Sequence, residues 1–440
     1  MEKKVYFDNA ATTFPKPESV SRAVCGYIDN IGCNVSRGSY AGAYEAQEML
    51  FETRSRLKRL FNAPDEKNVI FTPSDTYSLN MLIKGIMRPD DLIATDTMGH
   101  NASVRPICAI TGSCAETRNS DSSGYINERV LTIECDGYGT ISPEALACRL
   151  EECLREAGRQ ERAFRALVMT HGSNVCGSIL PIETAGRFCR DNGIYFIVDA
   201  AQTAGIEDID VEKMCIDGLC FSGHKSLYGP QGTGGFVVSD RMAAGLKTLI
   251  EGGTGSFSHM LEMPERLPER FEAGTMNIPG IYGLNAGLRF VEEKGVSGHR
   301  EHTEALTRRF ISLISDIDGI RVVGIPDSYI ASCAEERKKG TEEHITGEPA
   351  DKADVCPRAA ERRLPVVSVT CDIMDEAQLA FRLEEEYGIW TRVGLHCAPC
   401  AHRTLGTFPK GTVRFSFGAF NTEEEIEYGA QAIGSICKRG

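Results

Sequence analysis

The feature that most constrains how this chain folds is an alternation along its first half. Short apolar runs end on polar residues, and stretches with helical spacing separate them. Val69-Ile70-Phe71 leads to Asp75-Thr76, and Leu92-Ile93-Ala94-Thr95 leads to His100. Ala166-Leu167-Val168-Met169-Thr170 leads to Asn174, and Tyr195-Phe196-Ile197-Val198 leads to Asp199. Gly218 to Phe221 leads to Lys225, with Gly235-Phe236-Val237-Val238 behind it. Strands that alternate with helices build an α/β sheet covered on both faces. Ligands of such sheets gather at the carboxyl ends of the strands. The polar residues just named all fall there, so they are read as one candidate site.

Within that pattern, Phe221-Ser222-Gly223-His224-Lys225-Ser226-Leu227-Tyr228-Gly229-Pro230 stands out. A short buried strand enters it and a Gly-Pro turn closes it. A lysine in a dry pocket loses charge, because burial disfavours the ammonium. Its neutral amine attacks aldehydes, which is how pyridoxal phosphate is carried. By itself the residue reads first as a solvated surface lysine, as most lysines after a strand are. Asp199-Ala200-Ala201-Gln202 at the preceding strand end is either a turn or the carboxylate that keeps a pyridine nitrogen protonated.

Composition sets the bounds. A chain of 440 residues suits two domains, and 42% apolar with 25% charged residues is ordinary for a globular protein. A net charge of −14 argues against nucleic acid or an anionic membrane as the main partner. No apolar run reaches the roughly 18 residues that span a bilayer. Met1-Glu2-Lys3-Lys4 runs into Val5-Tyr6-Phe7 without a signal-like apolar region, so the expected location is cytoplasmic. The 17 cysteines are an odd number, read mostly as small buried hydrophobes and not as a disulfide framework.

Three segments are expected. Residues 1–17 form an irregular N-terminal arm packing near the site, 18–280 a large domain, and 281–440 a smaller C-terminal domain. Residues 333–363 are polar and charged, with Glu335-Glu336-Arg337-Lys338-Lys339 among them, and read as an exposed, structureless insertion whose removal leaves activity.

The motifs resemble the class V aminotransferases, and among them the cysteine desulfurases. The pieces that carry the resemblance are Asp8-Asn9-Ala10-Ala11-Thr12-Thr13, Asn34-Val35-Ser36-Arg37-Gly38, Ser173-Asn174-Val175, Asp199-Ala200-Ala201-Gln202, Ser222-Gly223-His224-Lys225, Phe271-Glu272-Ala273-Gly274-Thr275 and Arg392-Val393-Gly394-Leu395-His396-Cys397-Ala398. The resemblance implies a fold-type I pyridoxal phosphate-dependent transferase. Its large domain would hold a mostly parallel seven-stranded sheet, followed by a smaller C-terminal α+β domain. It implies that Lys225 carries pyridoxal 5'-phosphate and moves protons on the substrate carbon. Asp199 would face the pyridine nitrogen, Gln202 the ring hydroxyl, and His100 the ring face, where it could act as acid or base. Thr76, Ser222 and His224, with Asp75 beside them, would hold the phosphate, joined by Gly274 and Thr275 from a second subunit of a homodimer. Asn174 and Arg414, with Arg392, Asn34 and Ala11 close by, would form the substrate site. Cys397 would accept sulfur from L-cysteine and pass it to an acceptor protein.

Elementary chemistry runs alongside. A phosphate suits helix-start amides and hydroxyls, and a substrate carboxylate suits a guanidinium. Arg414 sits inside an apolar strand and needs an anionic partner, either the substrate or a nearby acidic side chain. Pro73-Ser74-Asp75-Thr76 departs from the family's glycine-containing phosphate turn and brings a carboxyl where a phosphate is expected. Gly99 stands where the family has Glu before the ring-stacking histidine.

His396-Cys397-Ala398-Pro399-Cys400-Ala401-His402 admits three readings: a metal site, a redox pair, or sulfur transfer. In the third, a thiol near Arg392 and the cofactor is an activated nucleophile. The favoured activity is cysteine desulfuration, without a metal. The alternatives are a selenocysteine lyase acting on L-selenocysteine, another class V aminotransferase or lyase in which Cys397 is idle, and a catalytically silent cofactor-binding scaffold.

Overall fold

The computed structural model describes residues 4–35, 38–112, 128–346 and 362–439. Ser36 and Arg37 of the Asn34–Gly38 motif, and 347–361 of the expected insertion, lie outside them. The arm enters as a two-residue strand, β1 (Val5–Tyr6). The larger sheet follows: β2 (Val69–Thr72), β3 (Leu92–Asp96), β4 (Val130–Ile133), β5 (Phe164–Thr170), β6 (Tyr195–Asp199), β7 (Gly218–Ser222) and β8 (Gly234–Val238). These seven strands lie in the order β2-β8-β7-β6-β5-β3-β4. All pairs are parallel except those that β8 makes with β2 and β7. Every residue of β3, β7 and β8 is buried. That is why these strands read as unbroken apolar runs and not as alternating ones.

The second sheet comes from the last third of the chain: β9 (Ile320–Val323), β10 (Val366–Cys371), β11 (Ile389–Trp390), β12 (Arg392–Gly394) and β13 (Thr412–Ser416). Four of these form an antiparallel sheet in the order β12-β13-β10-β9, and β11 pairs in parallel with β1. The arm therefore belongs physically to this second core. Val5 and Phe7 are buried in it, and the Phe7 ring meets Phe417 edge-on at a centroid distance of 5.2 Å.

Two expectations change. The division does not fall at residue 280. Helix Ile278–Lys294 buries Ile281, Tyr282, Leu284 and Leu288 in the larger core, with Tyr27 and Leu50; Val296, past Gly295, still packs on the small cluster of Tyr228, Val291 and Ala419, and the next helix joins the second core from Leu306. The polar segment is also anchored at both ends. Helix Asp327–Thr346 runs into it and buries Tyr329 and Cys333, one turn apart, against the second core. Arg308 pairs with Glu336, while Arg337 donates to the Ser312 carbonyl. Beyond 361, Arg363 is buried and donates to the Cys176 and Gly324 carbonyls. Charged residues here lie along a helix whose narrow apolar edge is enough to dock it.

Candidate active site

The carboxyl ends of the strands deliver the side chains. β6 ends on Asp199, and β7 ends on Ser222 and turns through Gly223-His224 to Lys225. After β3, His100 caps helix Asn101–Thr111, its Nδ1 accepting the Ala102 amide at 3.0 Å. After β2, Ser74 caps helix Asp75–Ile86 through a bond from the Tyr77 amide. Gly234 of β8 lets that helix start close down on the sheet, since a Cβ there would stand 2.7 Å from the Ser74 carbonyl carbon and 2.8 Å from the Asp75 nitrogen.

These groups line one cavity of about 380 Å³. It collects Lys225, Asp199, Gln202, His100, Asp75, Thr76, Ser222 and His224 from the larger sheet, Ala11 from the arm and Asn174 from the loop after β5. The second sheet adds Arg392 and Arg414, and the loop after β12 adds Cys397. Asn34, Gly274 and Thr275 do not join them. They line a separate cavity of about 830 Å³. Asn34 is therefore not a wall of the Lys225 cavity within this chain, because the loop before helix Ala41–Phe61 carries it to the side where Gly274 and Thr275 lie.

Burial governs the electrostatics. Lys225 keeps a little surface open to the cavity, and protein encloses the rest. This burial pushes its amine below the ordinary lysine value, opposed by Asp199 and then Asp75. Burial also holds His100 and His224 down at about 4, so both imidazoles are neutral at neutral pH. For His100, the accepted amide bond at Nδ1 leaves Nε2 as the protonated nitrogen. Asp75 behaves in the opposite way. Burial first, and Asp199 second, push its carboxyl well above the ordinary range.

The second sheet brings two like charges face to face, since Arg392 and Arg414 are direct cross-strand partners. Such a pair is unfavourable unless bridged. Asp8 of the arm bridges it, with Oδ1 2.7 Å from Arg414 Nη2 and Oδ2 3.6 Å from Arg392 Nη1. The buried strand arginine thus has an internal acidic partner. Arg414 also donates to the Asn174 carbonyl, and Asn174 Nδ2 donates to the His396 carbonyl at 2.8 Å. Gln202 Nε2 donates to the Ala10 carbonyl.

Cys397 is exposed, and it sits with His396 in the left-handed region, at φ of 57° and 47°. Its carbonyl accepts from the Asn101 amide at 2.7 Å, tying the cysteine loop to the helix that His100 caps. His396 and His402 are both buried, and each bonds a threonine hydroxyl, Thr412 and Thr407 respectively. Among the described residues no cluster of three metal-ligating side chains forms.

Sequence reasoning assigned no role to Asp8 or Lys16. Lys16 Nζ donates to the Thr13 hydroxyl and to the His224 carbonyl, both at 2.6 Å. Thr13 also donates to the Lys225 carbonyl at 3.0 Å. The arm's polar motif hinted at such contacts, but their partners lie hundreds of residues away.

The family model described as aminotransferase class-V matches residues 5–342 and 334–428. The chain belongs to this family. Its members use pyridoxal phosphate, so the protein is a pyridoxal phosphate-dependent enzyme of fold type I. Family relatives include a probable cysteine desulfurase of Methanothermobacter thermautotrophicus, 28% identical, with 99% of this chain and 95% of the relative covered. Another, from Pyrococcus abyssi, is also 28% identical over 97% of this chain and 92% of its own. An apo structure of a cysteine desulfurase from Thermococcus onnurineus NA1 superposes with a TM-score of 0.80 at 26% identity, covering 99% of this chain and 95% of that one.

The family's cofactor fits the cavity. Lys225 and Asp199 share its floor, and His224 Nδ1 and one Asp75 oxygen are buried there without a hydrogen-bond partner. The Asp75 and Thr76 amides open the helix, where an anion is stabilised by free N–H groups and the helix dipole.

Proposed function

We propose that the protein is a cysteine desulfurase that converts L-cysteine to L-alanine and holds the removed sulfur as a persulfide on Cys397. One observation carries the reading: an exposed cysteine lies on the rim of the cavity that contains Lys225, Asp199 and the arginine pair. An idle cysteine has no reason to be held there in a strained backbone conformation.

Lys225, Asp199, Gln202, Ser222, His224 and the Asp75–Thr76 helix start would hold pyridoxal phosphate, which supplies an electron sink at the substrate carbon. Arg392, with Arg414 behind it, attracts the substrate carboxylate. Burial favours the free amine of Lys225, the form able to accept a proton from the substrate carbon and return it. The Cys397 thiolate attacks the substrate sulfur. A sulfur–sulfur bond forms and the substrate's carbon–sulfur bond breaks, its electron pair leaving with the carbon fragment, which is protonated to alanine. A thiol acceptor, either a partner protein or an added reductant, then takes the terminal sulfur from Cys397.

A homodimer completes the reading. The cavity at Asn34, Gly274 and Thr275 adjoins exposed Phe51, with exposed Tyr44 and Leu261 nearby in the chain, and a partner subunit would cover this surface. No helix among the described residues is long and apolar enough to cross a membrane.

The test measures alanine formed from L-cysteine, with excess thiol reductant, by the native protein and by Cys397→Ser. Alanine from the first and almost none from the second is expected. Equal alanine from both would remove Cys397 from the reaction and make the protein a lyase. No alanine from either, with cofactor bound, would refute the cysteine reading, and L-selenocysteine and keto-acids would then be assayed.

A further inference from the structure

Asp75 is an anomaly in an anion site. It opens helix Asp75–Ile86, whose free amides suit a phosphate, yet its own side chain is a carboxyl. Asp75 is only 7% exposed, and its side chain makes no hydrogen bond among the described residues. Oδ1 is sealed in protein without a partner, so the other oxygen is the one that meets the cavity. A carboxylate with no donor and almost no water is far too costly to stay charged. The groups around it sharpen the point. Asp199 at the end of β6 is a second buried carboxyl, the Cys220 thiol inside β7 is held neutral by burial, and Lys225 is the neighbouring base with an opposing effect. From the neighbouring helix His100 is neutral, as is His224 after β7. β2 and β8 place no titratable residue against it. Adding a phosphate to this cavity makes a charged Asp75 still less tenable.

We propose that Asp75 binds the cofactor as a neutral acid, its cavity-facing oxygen donating a hydrogen bond to the phosphate group. The sealed oxygen then serves as a carbonyl, which tolerates an unmet acceptor better than a carboxylate does. The departure from a small residue in the phosphate turn becomes a recognition element with a built-in pH dependence. Ionisation would replace an attraction with a repulsion, so cofactor retention falls on the alkaline side. The proposal uses the family's cofactor and does not depend on which amino acid is the substrate.

The experiment measures dissociation constants of pyridoxal phosphate and of pyridoxal for apo protein prepared from the native chain, Asp75→Asn and Asp75→Ala, from neutral to alkaline pH. The asparagine amide can donate from the same place. Asp75→Ala is expected to weaken pyridoxal phosphate by about ten- to a hundredfold, the loss of one strong hydrogen bond, with Asp75→Asn near native. Pyridoxal, without the phosphate, should bind all three alike. The native-to-Asn ratio of dissociation constants should rise as the pH rises. Tighter binding of pyridoxal phosphate by Asp75→Ala would overturn the proposal, because it would mean a charged, repelling carboxylate. An equal loss for pyridoxal would overturn it too, by directing Asp75 to the ring. If the variants do not fold, infrared spectra of the native protein decide. A protonated-carboxyl band that shifts with pyridoxal phosphate but not with pyridoxal supports the assignment, and its absence refutes it.

Discussion

Replacing Asp8 with alanine removes the one carboxylate between two opposed guanidiniums. The Arg414 side chain is 3% exposed and that of Asp8 is 14% exposed, so their 2.7 Å contact is largely shielded from water. Without Asp8, Arg414 keeps the bond to the Asn174 carbonyl, its Nε remains unpartnered, and Arg392 still faces it across the strand pair. Breaking a buried pair from one side strands a charge at a cost of about 3–5 kcal/mol. The carboxylate is partly reachable, so we expect the lower end, about 3 kcal/mol. At a urea dependence of about 3 kcal/mol per M, the midpoint should drop by about 1 M. The readout is built in. Trp390 is the only tryptophan, and it pairs with Tyr6 of the arm, ring centroids 6.2 Å apart. Its fluorescence follows arm release directly. Asp8→Ala in an Arg414→Met background should cost much less, because no buried charge is left behind. Formate or acetate should partly restore the single variant by filling the vacated place. A loss below about 0.5 kcal/mol, or an equal loss in both backgrounds, would refute the reasoning.

Two further outcomes follow from the geometry. Gly234→Ala must push the Ser74–Asp75 backbone away from the sheet, so cofactor should be lost far more readily in dialysis while the apo fold melts within a few degrees of native; unchanged retention would show that the turn can shift without harm. Burial holds His171 and His402 at about 4, below the 6.5 of a solvated imidazole. From pH 6.5 down to 4 the unfolded chain takes up protons that the native state refuses, so stability falls as the pH falls through that window, by up to roughly 3 kcal/mol per buried ring; urea midpoints that match at pH 7 and pH 5 would contradict it.

The larger sheet was legible in the sequence because its strands are buried on both faces and end on polar residues. Lys225, Asp199 and His100 each sit where an apolar run stops, a strictly local signal. Asp8 shows what local patterns miss. Its partners are 384 and 406 positions away, a separation worked from residues 392 and 414, and nothing near residue 8 names them. Asn34 shows a second limit: a motif fixes a residue's neighbours in sequence and leaves open which cavity its loop reaches, here the one lined by Gly274 and Thr275. The segment from 333 onward was misread because composition weighs all faces of a helix equally. Only Tyr329 and Cys333, one turn apart, needed to be apolar for it to dock. The expected boundary at 280 falls inside helix Ile278–Lys294, because Pro279 stands in a helix's first turn, where proline is favoured, and does not mark the edge of a packing unit.

The arm also bears on how the protein is made. β1 leaves the ribosome hundreds of residues before its partner β11 and before the arginines that Asp8 joins. Synthesis at about 5–20 residues per second leaves this apolar end unpaired for tens of seconds. The larger sheet can form in that interval, while the arm that carries Thr13 and Lys16, which bond the His224 and Lys225 carbonyls, still lacks its partner strand. A truncated chain, or one stalled before β13, would carry an assembled Lys225 turn without a seated arm, exposing a reactive amine and a sticky strand together. Pairing β1 with β11, and Asp8 with Arg414, therefore ties the arm that touches the lysine loop to the second sheet, so the surroundings of Lys225 are finished only when that sheet is in place.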